Sequence, residues 1–429
     1  MKSAYLIGIA ALGASAMALA QPVATPSATE TLAEVATKSR AARIKGDVPT
    51  WLTFATKTLA LTPDHPDILI SVARANAAAG NKAAAIEHLA RAGRKGAGAD
   101  PARFAEFKAL SGDPQFEAAA ATVRHNLVPV AKAVRFAGTP QGLSEGIAYD
   151  PVSQRLFSGT GEGGKEGELY SVGLDGKTAT FAKGGGLRQI LGLKVDAKRR
   201  LLWLVTGRYP EGGPNEPADS GTGGVRAYNI DSGKLITSVE VDERPTLLHG
   251  FNDIALAADG TIYVTDSNTN AVYRLATGGK SLELLLRDTK MSFPNGIVLA
   301  PNQRTLYVAH VEGISAIDLA TGTRSLLAVP ADGSVNSIDG LLLKDGIFYG
   351  NQNSPYLNRI VGAQLAADGR SITRVWTVNS RTPAEFNHTT AAIAGNDLYF
   401  IGGALIADIY GGTNAAKPEP QIWRVPLGS

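Results

Sequence analysis

Four oxygen-bearing side chains occupy one phase of a repeat in this chain of 429 residues. Glu145 stands in Ser144-Glu145-Gly146-Ile147, and Asn252 in Phe251-Asn252-Asp253-Ile254. Asn295 stands in Pro294-Asn295-Gly296-Ile297, and Asp339 in Ile338-Asp339-Gly340-Leu341. Each precedes an apolar run that leads through a turn into a second run. Asn295 follows Asn252 by 43 residues, and Asp339 follows Asn295 by 44. Asn-Gly and Asp-Gly are ordinary turn pairs, so each residue taken singly has a local explanation. Turn chemistry does not require four of them to share a phase. Two carboxylates and two carboxamide oxygens brought together suit one hard divalent cation, Ca²⁺ best, with Zn²⁺, Mn²⁺ and Mg²⁺ compatible.

Bringing them together requires repeated sheets around an axis. From about Val128 short β-rich runs recur, separated by Asp-Gly and Gly-rich turns. Units begin near Gly142, Gly186, Gly250, Phe293, Ser337 and Asn387, a period that indicates a six-bladed β-propeller. The last unit has strand-like runs at Ala391–Ala394, Leu398–Gly402 and Gln421–Pro426 and is one short. Val130–Phe136 can supply its outer strand, which closes the ring and leaves no sheet edge open. In a meander blade the first strand lines the channel, so the four oxygen ligands meet near the channel mouth. Leu191 and Thr390 hold the same phase in the second and sixth units and are poor ligands. The ion would therefore keep room for water or substrate.

The N-terminal part differs. Lys2, the apolar run Tyr5–Met17 and Ala18-Leu19-Ala20 read as a secretory signal over residues 1–20, cleaved to leave Gln21. The expected location is periplasmic or secreted. Residues 21–30 form a flexible leader, 31–127 an Ala-rich helical region, and 128–429 the propeller. Pro66–Asn81, with Gly80 as its stop, and Lys82–Ala92 read as two helices. Trp51–Leu61 reads as a helix before them, and Asp113-Pro114 opens a last one. Helix, Gly-Asn turn and helix resemble a tetratricopeptide (TPR-like) repeat. The region is either a protein-binding groove or a small helical cap, and one clear repeat is too few for a long concave surface.

Composition narrows the functions. The net charge is +3, and no dense Lys/Arg run is interleaved with aromatics, so no nucleic-acid partner is expected. There is no Cys, which excludes disulfides, a thiol nucleophile and Cys-based zinc sites. No segment of the mature chain is long and apolar enough to span a membrane. Gly142-Leu143-Ser144-Glu145-Gly146 matches the Gly-x-Ser-x-Gly pattern, but that elbow needs a helix after it and a strand-like run follows.

The stretches Ser144-Glu145-Gly146, Phe251-Asn252-Asp253-Ile254 with Asp259–Asp266, Phe293–Ile297 with Thr305–Val308, and Asp339-Gly340-Leu341 resemble the senescence-marker-protein/gluconolactonase family. The likeness runs from about Gly138 to the C-terminus. Members are six-bladed propellers that hold a divalent ion with a Glu, Asn and Asp set, and many hydrolyse lactones or related esters. The resemblance implies that Glu145, Asn252, Asn295 and Asp339 are metal ligands and that Asp339 serves as general base. It implies a small-molecule lactone or ester substrate, a sugar lactone among the options. The family's substrate-reading Arg and Asn of the second blade have no matched counterpart here.

His249, three residues before Asn252, and His310, after the second strand of the fourth unit, are the competing bases at the same end. His388 precedes the sixth inner strand. The long loops Thr206–Gly224 and Gly402–Pro420, and Asn351, Asn353 and Tyr356, are candidates for lining the pocket. The alternative is a non-catalytic, metal-stabilised propeller that binds a ligand or protein, with the helical region offering a protein contact.

Overall fold

The computed structural model describes residues 30–130, 132–136, 143–160, 166–187, 189–207, 222–242, 249–381, 386–405 and 420–427. The expected export signal and nearly all of the leader lie outside these residues. The chain divides into two compact units with the boundary between Leu127 and Val128.

The first unit is helical: α1 (Leu32–Lys45), α2 (Val48–Leu61), α3 (Pro66–Ala78), α4 (Lys82–Arg94) and α5 (Pro114–His125), with 3₁₀ turns at Pro101–Arg103 and Ala105–Leu110. Thr31 and Glu34 bond each other's backbone N–H groups at the start of α1, a reciprocal capping box. Pro66 and Pro114 open α3 and α5, where the N–H they lack would have had no helical partner. Gly46 turns left-handed, φ 72°, to end α1. Trp51 and Ala55 of α2 pack on Ile68, Val72 and Ala75 of α3. Among the described residues no helix is long and apolar enough to cross a membrane.

The second unit is a six-bladed β-propeller, opened by the short strand β1 (Val134–Arg135). The first blade is β2 (Leu143–Asp150), β3 (Arg155–Thr160), β4 (Glu168–Gly173) and β5 (Thr178–Lys183). The second is β6 (Gln189–Asp196), β7 (Leu201–Gly207), β8 (Thr222–Asn229) and β9 (Leu235–Asp242). The third is β10 (Phe251–Leu256), β11 (Ile262–Asp266), β12 (Ala271–Leu275) and β13 (Glu283–Arg287). The fourth is β14 (Ile297–Leu299), β15 (Thr305–His310), β16 (Gly313–Asp318) and β17 (Arg324–Leu326). The fifth is β18 (Ile338–Lys344), β19 (Ile347–Ser354), β20 (Leu357–Leu365) and β21 (Ile372–Ser380). The sixth is β22 (Phe386–Ala394), β23 (Asp397–Leu405) and β24 (Gln421–Pro426), with β1 as its outer strand.

That last pairing closes the ring as the residue pattern predicts: Val134 pairs with Arg424 and Arg135 with Trp423. Buried Asn379, at the end of β21, accepts from the N–H groups of Lys132 and Ala133 and so anchors the incoming chain. The six first strands pack on one another in order, β2 on β6, β10, β14, β18, β22 and back to β2. Glycine permits that approach. A Cβ on Gly146 would lie 1.9 Å from the Leu191 carbonyl oxygen, and one on Gly296 would lie 2.5 Å from that of Asp339. In the third blade Asp253 takes this place, and its carboxylate accepts from the Ile297 N–H of the next blade at 3.2 Å. The Thr390 hydroxyl donates to the Glu145 carbonyl oxygen where the sixth blade meets the first.

Two substitutions test this ring. Gly146→Ala forces overlap between the first and second blades and is expected to cost about 1–3 kcal/mol. Asn379→Ala leaves two N–H groups without their acceptor, and is expected to cost about 2 kcal/mol or more. Denaturant unfolding reads both, and wild-type midpoints would show that these contacts do not hold the ring.

Candidate metal centre

The four repeat-phase residues sit where the first strands break register. In β18 the ladder slips between Ile338 and Leu341, leaving Asp339 and Gly340 in a bulge. The same slip encloses Glu145 in β2 and Asn252 in β10. It also encloses Leu191 in β6 and Thr389-Thr390 in β22. A bulge leaves residues out of the ladder and re-aims their side chains. In the fourth blade Asn295 stands just before β14, with its N–H on the Ala309 carbonyl at 2.9 Å. Two residues upstream of Asn295 and of Asp339, Phe293 and Ser337 take left-handed φ of 54° and 50°. That conformation costs a side-chain-bearing residue about 1–2 kcal/mol, and here it turns the chain into the inner strand.

All four side chains are buried, none more than 6% exposed. Burial pushes the Asp339 carboxyl well above the usual range, and the neighbouring charge of Glu145 pushes it further, while the amides of Asn295 and Asn353 act against this. Asn353, in β19, donates its Nδ2 hydrogen to Asp339 Oδ2. The Oδ1 atoms of Asp339, Asn295 and Asn353 are buried and have no hydrogen-bond partner among the described residues. Asn252 is held from its nitrogen end: Nδ2 donates to Ser267 Oγ at 3.2 Å, and that hydroxyl donates to the Pro294 carbonyl at 2.8 Å. Thr265 of β11 donates to the Asn295 carbonyl at 2.8 Å, so Thr265 and Ser267, just beyond the strand, brace two ligand positions.

These residues fit a divalent cation. Two carboxylates share a buried site, and acceptor oxygens there lack donors; a cation relieves both conditions. Among the described residues no group of three or more His, Cys, Asp and Glu side chains comes together, so the set is not of the His/Cys kind.

The histidines have partners of their own. His310 is buried with Nδ1 on Glu312 at 2.7 Å and Nε2 on Ser315 Oγ at 2.8 Å, both within its own blade. Both ring nitrogens are thus committed, which suits a structural role better than proton transfer. His249 stacks on Phe251, ring centroids 4.9 Å apart, with Nδ1 on Asp266 Oδ2. Burial pushes the Asp266 carboxyl up, but hydrogen bonds from His249, Thr269 and the Gly250 N–H outweigh it and hold it below the usual range. His388 is buried in β22 with its ring edge on Phe400. Ser144 lies in β2, which leads into β3 and not into a helix, so it stands on no nucleophile elbow. Residues 208–221 and 406–419, with Arg208, Asp408 and Tyr410, lie outside the described residues.

Residue-by-residue reading passed over Asp253, Thr265 and Ser267. Their brace is made with backbone groups of the next blade, and no motif spacing reports such a contact.

A pH dependence follows. The folded carboxyl of Asp339 is raised above its unfolded value of about 3.9, so the folded state holds the proton longer. With chelator present, stability should be greatest at low pH and fall as pH rises from about 4 through the folded value. Asp339→Asn should remove that component of the slope. Melting curves across pH in chelator measure it, and identical slopes for both proteins would contradict the electrostatic reading.

Comparisons with known proteins bear on the propeller only. No curated protein matches the chain in sequence. Aldose sugar dehydrogenase from Streptomyces coelicolor, in its PQQ-bound form, is 12% identical with TM-score 0.46, covering 70% of this chain and 99% of that one. A putative oxidoreductase (glucose dehydrogenase) from Thermus thermophilus is 14% identical with TM-score 0.45, over 68% and 99%. A luciferin-regenerating enzyme is 14% identical with TM-score 0.47, over 70% and 95%. Residues 220–398 match the family model of the SMP-30/Gluconolactonase/LRE-like region, a stretch that holds Asn252, Asn295 and Asp339 and leaves Glu145 outside it.

Proposed function

We propose that this chain is an exported, metal-dependent hydrolase of a lactone or related carboxylic ester. One observation carries the reading: two carboxylates and two carboxamides stand at the starts of inner strands, buried, with acceptor atoms left over among them. Glu145, Asn252, Asn295 and Asp339 would hold one divalent ion, with Ca²⁺ the best fit to an all-oxygen set. Such an ion supplies polarisation of the substrate carbonyl and charge to balance the oxyanion formed when water adds. The amides of Asn252 and Asn295 contribute oxygen without negative charge, which keeps the site electrophilic.

The protein's own part is proton handling and orientation. Asp339 would take a proton from the attacking water while the new C–O bond forms at the carbonyl carbon. The ester C–O bond then breaks, and the leaving alkoxide takes a proton back. Asn353 donates to Asp339 Oδ2, which fixes the carboxylate plane and leaves one oxygen of the pair without a protein partner. His249, turned by Asp266, is the second group that could carry a proton at this end.

Burial of all four ligands favours a second reading, a propeller whose ion is structural and whose task is binding. Activity distinguishes them. The purified protein should hydrolyse members of a panel of sugar and aliphatic lactones with added Ca²⁺ and lose turnover in chelator. Asp339→Asn and Glu145→Gln should each lower kcat/KM by about 10²-fold or more, as loss of a main electrostatic group does. A folded, metal-binding protein that turns over no lactone or ester would leave the binding reading standing.

A further inference from the structure

The fifth blade carries a row of amides that no fold requirement explains. Asn351 and Asn353 are two residues apart in β19, so they share a face. Asn358 of β20 pairs with Asn353 across the hairpin and shares that face too. Further along the same face Tyr349 and Ile360 pack on Leu398 and Phe400 of the sixth blade. The face thus runs from an apolar core between blades five and six to three amides beside Asp339. All three are buried, with exposure of 1% at Asn351 and 3% at Asn353 and Asn358.

Their polar atoms remain open. Asn351 Nδ2, Asn353 Oδ1, and both Nδ2 and Oδ1 of Asn358 have no hydrogen-bond partner among the described residues. On the opposite face of the same ribbon Gln352 donates to the Ser334 and Asn336 carbonyls and accepts from Arg359 Nε, while the buried Ser354 hydroxyl has no partner among the described residues. Gln352 thus staples its own side of the hairpin, while the amide row on the other side holds three residues' donors and acceptors in reserve. Buried polar groups are satisfied in native proteins, so something must meet these.

We infer that Asn351, Asn353 and Asn358 form a hydroxyl-reading subsite for a neutral, polyhydroxylated ligand bound next to Asp339. The inference rests on the proposed site, since Asn353 touches both the row and the Asp339 carboxylate. Open donors and open acceptors alternate along the row, and a hydroxyl group answers both because it donates and accepts. A phosphate or carboxylate would meet the donors and leave Asn353 Oδ1 and Asn358 Oδ1 facing like charge.

Two lactones of one ring size separate the roles: D-glucono-1,5-lactone carries hydroxyls and δ-valerolactone carries none. Asn358→Ala and Asn351→Ala should each raise KM for the gluconolactone, and the loss in its kcat/KM should exceed the loss for valerolactone by ~10-fold or more, the range set by unpairing a buried polar group. Equal losses for both lactones, or none for either, would overturn the subsite and leave the amides to ordered water. Calorimetric titration of D-sorbitol into the Ca²⁺-loaded wild type and Asn358→Ser gives a readout that does not need catalysis. Saturable binding weakened in the variant supports the subsite even where no lactone is hydrolysed, which separates it from the hydrolase reading. A wild type that binds neither sorbitol nor gluconolactone overturns it. Melting curves of the variants show that each is folded.

Discussion

Two carboxylates, Glu145 and Asp339, are buried beside each other within the ring, and the rest of the propeller bears on that placement. Their repulsion and desolvation oppose the fold, as the raised Asp339 carboxyl shows. The ring resists them through close contact of its first strands. Glycine after the ligand position in four of those strands removes the Cβ that would hold neighbouring blades apart. Where Asp253 replaces glycine, a hydrogen bond to the next blade takes over the same duty. The register slips at Glu145, Asn252 and Asp339 are the geometric means: each takes a residue out of the ladder and re-aims its side chain.

This arrangement links closure to chemistry. The chain enters through the outer strand of the last blade, and Asn379 secures that entry by accepting two N–H groups. The Thr390 hydroxyl joins the sixth blade to the Glu145 backbone. Glu145 lies in the first blade and Asp339 in the fifth, so their separation is set by how the sixth blade closes between them. A defect far out on β1 or β24 would therefore reach the candidate metal centre through the seam and not through direct contact.

The sequence revealed the ring and the phase, because both are periodic. Asn252, Asn295 and Asp339 stand about one blade apart, and the strand missing from the final unit was legible as Val130–Phe136. Contacts made by backbone groups of a neighbouring blade were not legible. Thr265 and Ser267 look like ordinary strand residues until their hydroxyls are seen on the Asn295 and Pro294 carbonyls. The left-handed turns at Phe293 and Ser337 were hidden as well, since neither residue type favours that conformation. His310 shows the converse. Its position in the unit suggested the channel mouth, but Glu312 and Ser315 in its own hairpin decide where its nitrogens point.

In the reading proposed above, the repeat-phase oxygens share one cation. Long-wavelength anomalous diffraction from crystals of the protein grown with Ca²⁺ tests it most directly. A single peak is expected within about 2.3–2.6 Å of oxygens from Glu145, Asn252, Asn295 and Asp339. No peak at that position, or a peak bound by other residues alone, would contradict it.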